Sequence, residues 1–231
     1  MMNDRVRVWI LKHLPIVADA YRLLVAIKDA CLPIKDSYSQ HGEDKEIEKL
    51  LAGFLSRKDF LYVDVGANHP TTFSNTYRLY RMGWKGIVID PDLKLLTLHK
   101  AIRRNDVQVN IGCGRKSSLL PFYFDTVPVM SSFKKEAVSR IQYVRYIPIV
   151  PLDSILESFE KKVAFLSIDT EGFDLEVLTG ATETLKRTYL LCVESNTEDR
   201  KSEINNLLSP NFDCVGTFGC NQLFLNRHFH V

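Results

Sequence analysis

The stretch VAFLSIDTEG, residues 163–172, is apolar almost without interruption until it ends on Asp169, Thr170, Glu171 and Gly172. A strand apolar on successive residues has both faces covered, the condition of an inner parallel strand between two helical layers. Three other runs end on an acid in the same way: FLYVDVG (60–66) with Asp64, GIVIDPD (86–92) with Asp90, and YLLCVES (189–195) with Glu194. The intervening segments have helical length and spacing. DKEIEKLLAGFL places Ile47, Leu50, Leu51, Phe54 and Leu55 on one stripe, and DLKLLTLHKAIRRN follows the second strand. Strand, helix and strand in alternation predict an α/β fold: a doubly wound, mostly parallel sheet with right-handed crossovers.

Several boundaries follow from local chemistry. Pro70 suits the first turn of a helix, where its missing N–H costs little, so a helix is predicted from Pro70 through Phe73, Tyr77, Tyr80 and Arg81 to Gly83. VQVNIGCG (107–114) reads as the third strand. FDLEVLTGATETLKR (173–187) reads as one helix, with Phe173, Val177, Leu178, Ala181 and Leu185 on its apolar side. LLPFYFD and YIPIVPLDSI read as extended pieces of a less regular stretch, and EINNLLS as a helix. DCVGTFG and NQLFLN, joined by a short Gly-Cys connection, predict a terminal antiparallel pair.

The 231 residues divide into an N-terminal helical extension, 1–36, and a main domain, 37–231. In the extension, Trp9, Leu14, Val17, Tyr21, Leu24 and Ile27 supply apolar surface, and Arg5, Arg7, Lys12, Arg22 and Lys28 supply positive charge. One or two helices broken near Pro15 are expected, packed on the domain or on a second copy of the chain. Peripheral membrane contact is the alternative. Charged residues interrupt every apolar run before it reaches the roughly 20 residues of a membrane span. Five cysteines without a CxxC pair argue against a disulfide framework or a zinc site and for a reducing, cytoplasmic setting. A net charge of +2 offers no phosphate-tracking surface, so no nucleic-acid partner is expected.

In a doubly wound sheet, ligands bind at the carboxyl ends of the strands. Asp64, Asp90, Asp169 and Glu194 all fall there. Several carboxylates on one rim suit a pyrophosphate poorly, and the turn D-V-G-A-N-H-P (64–70) has one glycine where a dinucleotide site needs three. No GxxxxGK[ST] is present. A cationic ligand fits better. S-adenosylmethionine carries a sulfonium and an ammonium that carboxylates attract. Asp90 lies 22 residues beyond Asn68, where an acidic residue accepts ribose hydroxyls in nucleoside-binding α/β folds. A nicotinamide oxidoreductase or a non-catalytic binding protein on the same fold are the rival readings.

The chain resembles the FkbM-type methyltransferases. The matching segments are SYSQHGED (37–44), YVDVGANHPTTFSNTYRLYRMGWKGIVIDPD (62–92), VPLDSIL (150–156), FLSIDTEGFDLEVLTGA (165–181) and LCVES (191–195), in family order. His69 and Pro70 stand where many members have glycine. The resemblance implies a class I, Rossmann-like methyltransferase that carries a methyl group from S-adenosylmethionine to a hydroxyl, often of a sugar in a glycan or lipid-linked saccharide. A secondary metabolite is the alternative acceptor.

The expected cofactor-binding residues are Tyr38, Gln40, Asp64, Gly66, Ala67, Asn68, Asp90, Pro91, Asn110, Ile111 and Asp169. A hydroxyl acceptor must lose a proton, and three routes stay open. His69 is a base near neutral pH. Asp169 or Glu171 serves instead. A third route uses a divalent metal such as Mg²⁺ on Asp169 and Glu194, two carboxylates that make a thin ligand set, so the metal-free routes are preferred. Acidic residues also favour the first turn of a helix, a second role open to Glu171 and Asp174. Acceptor contacts are expected from residues 115–150 and the N-terminal helices. Association into a homo-oligomer is compatible with everything above.

Overall fold

The computed structural model describes residues 15–230 other than 55, 56 and 58. The expectations at Arg5, Arg7, Trp9, Lys12, Leu14 and Leu55 lie outside the described residues.

The described residues open on helices α1 (Pro15–Cys31) and α2 (Glu43–Leu50), then enter strand β1 (Phe60–Val65). Helix α3 (Tyr77–Arg81), strand β2 (Gly86–Ile89), helix α4 (Leu93–Ile102) and strand β3 (Val107–Val109) complete the first half. Strands β4 (Gly112–Cys113), β5 (Ser118–Asp125) and β6 (Ile141–Val150) lie between the halves. The second half runs α5 (Leu152–Leu156), β7 (Lys162–Ile168), α6 (Asp174–Thr179), α7 (Thr182–Lys186), β8 (Thr188–Glu194), α8 (Glu198–Leu208), β9 (Phe212–Phe218) and β10 (Asn221–Asn226).

The main sheet has seven strands in the order β3-β2-β1-β7-β8-β10-β9. Every pair from β3 to β8 is parallel, and β10 is antiparallel to both β8 and β9. The doubly wound sheet with its terminal antiparallel pair is therefore present. Successive side chains of β1 and β7 alternate between two apolar layers. Val63, Val65, Leu166 and Ile168 pack with Val177, Ile204 and Leu208 on one face. Phe60, Tyr62 and Phe165 pack with Ile47, Leu51, Leu79 and Trp84 on the other.

Four expectations are corrected. Residues 70–76 form an irregular loop, and the helix begins only at Tyr77. Its hydroxyl and amide side chains bond elsewhere, which competes with helix formation: Ser74 Oγ accepts from the Tyr77 amide, Thr76 Oγ1 donates to Asp64, and Asn75 Nδ2 reaches Ser167. Phe73 adopts a φ of 57°, which a helix forbids. The segment 173–187 is two helices, because Gly180 passes so close to the backbone of Gly114 that a Cβ there would lie 2.1 Å from its carbonyl oxygen. VQVNIGCG is also split. Val107–Val109 stays in the main sheet, whereas Gly112 and Cys113 join β5 and β6 in a separate three-stranded sheet of order β4-β6-β5. The extended piece at 119–125 lies in β5 and residues 146–150 lie in β6. Leu152–Ile155, expected to continue that extended piece, instead belong to helix α5.

Candidate functional site

A cavity of about 750 Å³ opens over the carboxyl ends of the parallel strands. The end of β1 forms its floor. Gly66 sits at φ +78°, and a Cβ there would lie 1.8 Å from the Asp169 carbonyl oxygen, so only glycine lets the ends of β1 and β7 meet. Asn68 follows at φ 44°. Its amide donates to Asp90 Oδ2 at 2.9 Å, and the Asp92 amide donates to Asp90 Oδ1 at 2.7 Å. Asp90 is thus aimed by two backbone donors into the cavity wall, and burial pushes its carboxyl up to about 7.

Asp64 also lines the cavity, but one oxygen is committed. Thr76 donates to it, and the fully buried Arg103 stands 4.0 Å away. Arg103 in turn donates to Asp106 through Nε at 2.7 Å and to the Tyr62 hydroxyl at 3.0 Å. Nothing in the local sequence RRND distinguishes Arg103 from Arg104, so this partner escaped the sequence reading.

The opposite wall is a second acid cluster. Asp169 ends β7, Glu194 ends β8, and Glu171 sits between them on a backbone at φ 51°. One oxygen from each of the three carboxyl groups lies within 4.8 Å of the others. Burial and mutual repulsion raise all three, Glu171 to about 8, Glu194 to about 7 and Asp169 well above the usual carboxylate range. The Cys220 thiol donates to Glu194 Oε1. Asp174 does the ordinary helix-entry work in this stretch, accepting from the amides of Thr170 and Gly172. Asp174 and not Glu171 bonds the amides at the helix entry, and Glu171 is a non-glycine held at positive φ beside the cavity.

Of the sequence-predicted site, Gln40, Asp64, Gly66, Ala67, Asn68, Asp90, Pro91, Ile111, Asp169, Glu171 and Glu194 line this one cavity. Three do not. Tyr38 is buried beneath it, its hydroxyl taken by the Lys35 amide. The Asn110 side chain donates to the carbonyls of Asp90 and Pro91, bracing the β2 turn from outside. His69 is buried with both ring nitrogens engaged. Nδ1 accepts from the Thr72 amide at 3.1 Å and the Thr71 amide at 3.3 Å, which leaves the proton on Nε2, 3.2 Å from the Arg22 carbonyl. Burial also lowers its basicity. The ring has no lone pair free for an acceptor proton.

Residues 122–137 contribute Phe122, Met130, Phe133 and Lys134 to the lining of the cavity, whereas among the described residues α1 contributes none to it. Among the described residues no helix is long and apolar enough to cross a membrane, and no cysteine is in a disulfide.

Comparison with known proteins agrees with this geometry. The chain aligns with the crystal structure of methyltransferase FkbM from Methylobacillus flagellatus KT at 19% identity and a TM-score of 0.50, over 90% of this chain and 60% of that one. It therefore spans about 60% of that protein's length. A putative O-methyltransferase from Klebsiella pneumoniae aligns at 12% identity over 90% of this chain and 89% of that one, with a TM-score of 0.44. No curated protein sequence matches the chain. The Methyltransferase FkbM domain matches residues 64–212, which include both acid clusters and the parallel strands of the main sheet from the end of β1 to β8. The chain belongs to the FkbM methyltransferases, a family that depends on S-adenosylmethionine.

Proposed function

We propose that this protein methylates a hydroxyl oxygen, using S-adenosylmethionine, and that the acceptor is a sugar of a glycan or lipid-linked saccharide. The observation that carries the reading is the placement of two unlike acid sites across one cavity: Asp90 and Gly66 on one wall, and the Asp169–Glu171–Glu194 cluster on the other.

The donor set fits the cofactor. Asp90 has a lone pair left on each oxygen for ribose hydroxyls, Ile111 and Pro91 offer apolar surface beside it, and the carboxylates supply the negative field a sulfonium and an ammonium require. When bound, the cofactor supplies an electrophilic methyl group and departs uncharged. Gly66 keeps the floor open, and Asp64 with Gln40 lines the approach from β1.

The acid cluster then has the work of deprotonation. Burial, and then mutual repulsion, raises its carboxyl groups and favours their protonated forms. Beside a cation they give those protons up, and a carboxylate is left ionised to accept the hydroxyl proton as attack proceeds. Glu171 is the base in this reading, since it is the most accessible of the three and its strained backbone aims it. In-line displacement needs the acceptor oxygen held in one place, and Phe133, Met130 and Lys134 are the groups positioned to do so.

A specific observation favours a second reading. Glu171 adds a third carboxylate to the Asp169 and Glu194 pair, which makes a divalent oxygen-ligand set more credible than two acids alone. Asp169, Glu171 and Glu194 would hold the ion, and the ion would acidify the acceptor hydroxyl.

The test has two parts. Calorimetry with S-adenosylhomocysteine should give micromolar binding that Asp90→Asn weakens; unchanged binding in the variant removes the assigned site. Comparative glycan mass spectrometry of cells with and without the gene should show loss of one methyl group per site. An unchanged glycome beside an undermethylated metabolite moves the acceptor to a secondary product. Turnover abolished by EDTA and restored by Mg²⁺ selects the metal reading.

A further inference from the structure

Helix α1 is turned the wrong way round for a helix packed on a soluble domain. Such a helix puts its apolar stripe against the core. Here the domain side is fastened by polar contacts. Asp29 is buried, accepts from Thr71 Oγ1 at 3.0 Å and pairs with Lys35. Its carbonyl accepts from Arg81 at 2.6 Å, and the Arg22 carbonyl meets His69. The only fully buried apolar side chains of α1 among those described are Ala18 and Ala26.

The large apolar residues face out. Val17 is 47% exposed, Leu24 64% and Ile27 43%, and Leu23 stands with them. Spacings of seven and three put Val17, Leu24 and Ile27 on one side of the helix. The exposed Leu32 and Ile34 continue the apolar surface past the helix end.

Charge indicates what this surface meets. Residues 1–36 hold six Lys and Arg against four Asp, whereas the rest of the chain holds 24 Lys and Arg against 24 Asp and Glu. Of the four acids, Asp19, Asp29 and Asp36 are already paired, with Arg22, Lys35 and Lys45. The extension, which includes α1 and its exposed apolar face, therefore carries the whole positive excess of the protein. Trp9 in the same segment belongs to the side-chain class that prefers the membrane–water boundary.

From this apolar face and the positive excess of the segment that carries it we infer that α1 docks the protein on an anionic lipid bilayer, lying in the interface with Val17, Leu23, Leu24 and Ile27 turned into the acyl boundary. The location gives the contact a purpose. A second cavity of about 440 Å³ separates α1 from β5 and β6, and it shares Asp92, Leu95, Pro128 and Ser131 with the wall of the main cavity. Docking through α1 thus sets the acceptor end of the site close to the lipid surface. The surface contact itself does not depend on the chemistry assigned to the cavity.

Flotation of the full chain with vesicles tests the inference. Vesicles of phosphatidylcholine with about a third phosphatidylglycerol should carry the protein up, and pure phosphatidylcholine much less, because each basic residue near an anionic surface adds roughly fivefold in partitioning. High salt should reduce the bound fraction. Leu24→Glu with Ile27→Glu should lower partitioning at least about tenfold, since both side chains would enter the acyl boundary. Both positions are exposed, and an unchanged circular dichroism spectrum and melting temperature will show that the variant is folded. No flotation at low salt overturns the proposal, as does equal flotation of the double variant. A dimer in sedimentation that the same two substitutions dissociate, without vesicle binding, also overturns it and assigns the face to a second copy of the chain.

Discussion

Two groups of acids, one around Arg103 and one at the carboxyl ends of β7 and β8, are built on opposite principles. Asp64 and Asp106 enclose Arg103, which bonds Asp106 and Tyr62 and faces Asp64, so that charge is compensated inside the protein. Asp169, Glu171 and Glu194 have no such partner: among the described residues none of the three forms an ion pair, and their oxygens crowd one another. A compensated cluster fixes the turn that ends β1. An uncompensated one stores repulsion that a cationic ligand relieves. The difference teaches which acids hold the protein together and which wait for something from outside.

The sharpest way to break that distinction is to neutralise one member of the crowded cluster. Glu171→Gln should lower kcat by roughly 10²–10⁴-fold, the usual contribution of a general base, while binding of S-adenosylhomocysteine survives. The folded protein should be no less stable than the wild type, since the substitution removes repulsion. Loss of stability together with retained turnover would show that the cluster is structural after all.

Arg103→Met should do the reverse. Removing the cation leaves Asp64 and Asp106 buried without compensation, which costs about 3–5 kcal/mol in comparable buried pairs. Urea unfolding measures it. A loss below about 1 kcal/mol would mean that water or protonation replaces the guanidinium easily, and that the two clusters differ less than their geometry says.

The clusters should also part in their pH dependence. Glu171 and Glu194 are raised to about 8 and about 7 in the folded protein, above their values in the unfolded chain. The native state therefore binds more protons than the unfolded state between about pH 4.5 and 8. Their contribution is fully present below that window and is lost as pH rises through the folded values. Melting temperature should fall across this range, and Glu171→Gln or Glu194→Gln should flatten the slope. An unchanged slope in both variants would place the titrating groups elsewhere.

How far the sequence reached follows the same division. Strand ends marked by an acid were legible, because an apolar run that stops on Asp or Glu is a local pattern; Asp64, Asp90, Asp169 and Glu194 all reach the cavity as expected. The partner that compensates Asp64 lies 39 positions on, and no local pattern announces it. The loop at 70–76 was misread as helix because Pro70 is an ordinary helix opener, whereas Thr76 and Asn75 spend their side chains on β1 and β7. The second sheet was legible as strands and not as a sheet, since β4 reaches it only by leaving the line of β3 between Val109 and Gly112. Glu171 was open between helix-entry and functional roles, and only its backbone conformation separates it from Asp174.

The smallest expected effect concerns His69, the residue whose sequence setting pointed most directly to catalysis. It follows the cofactor turn and titrates near neutral pH in its ordinary state, yet the structure turns it away from the cavity. Its Nδ1 accepts two backbone amides of the 69–72 turn and its Nε2 faces the Arg22 carbonyl of α1, so the ring joins the loop to the helix. His69→Ala should lower kcat by less than about tenfold, well short of the loss of a general base. It should cost about 1–2 kcal/mol of stability, the usual result of stranding buried amides that a side chain had satisfied. His69→Asn, whose side-chain oxygen can accept from the same amides, should recover part of that stability. Because burial lowers the basicity of the ring, the pH–rate profile should hold its shape in both variants. A kcat falling by a thousandfold with an intact melting temperature would return His69 to the reaction, and would leave the crowded carboxylates as an electrostatic wall for the cofactor rather than the base.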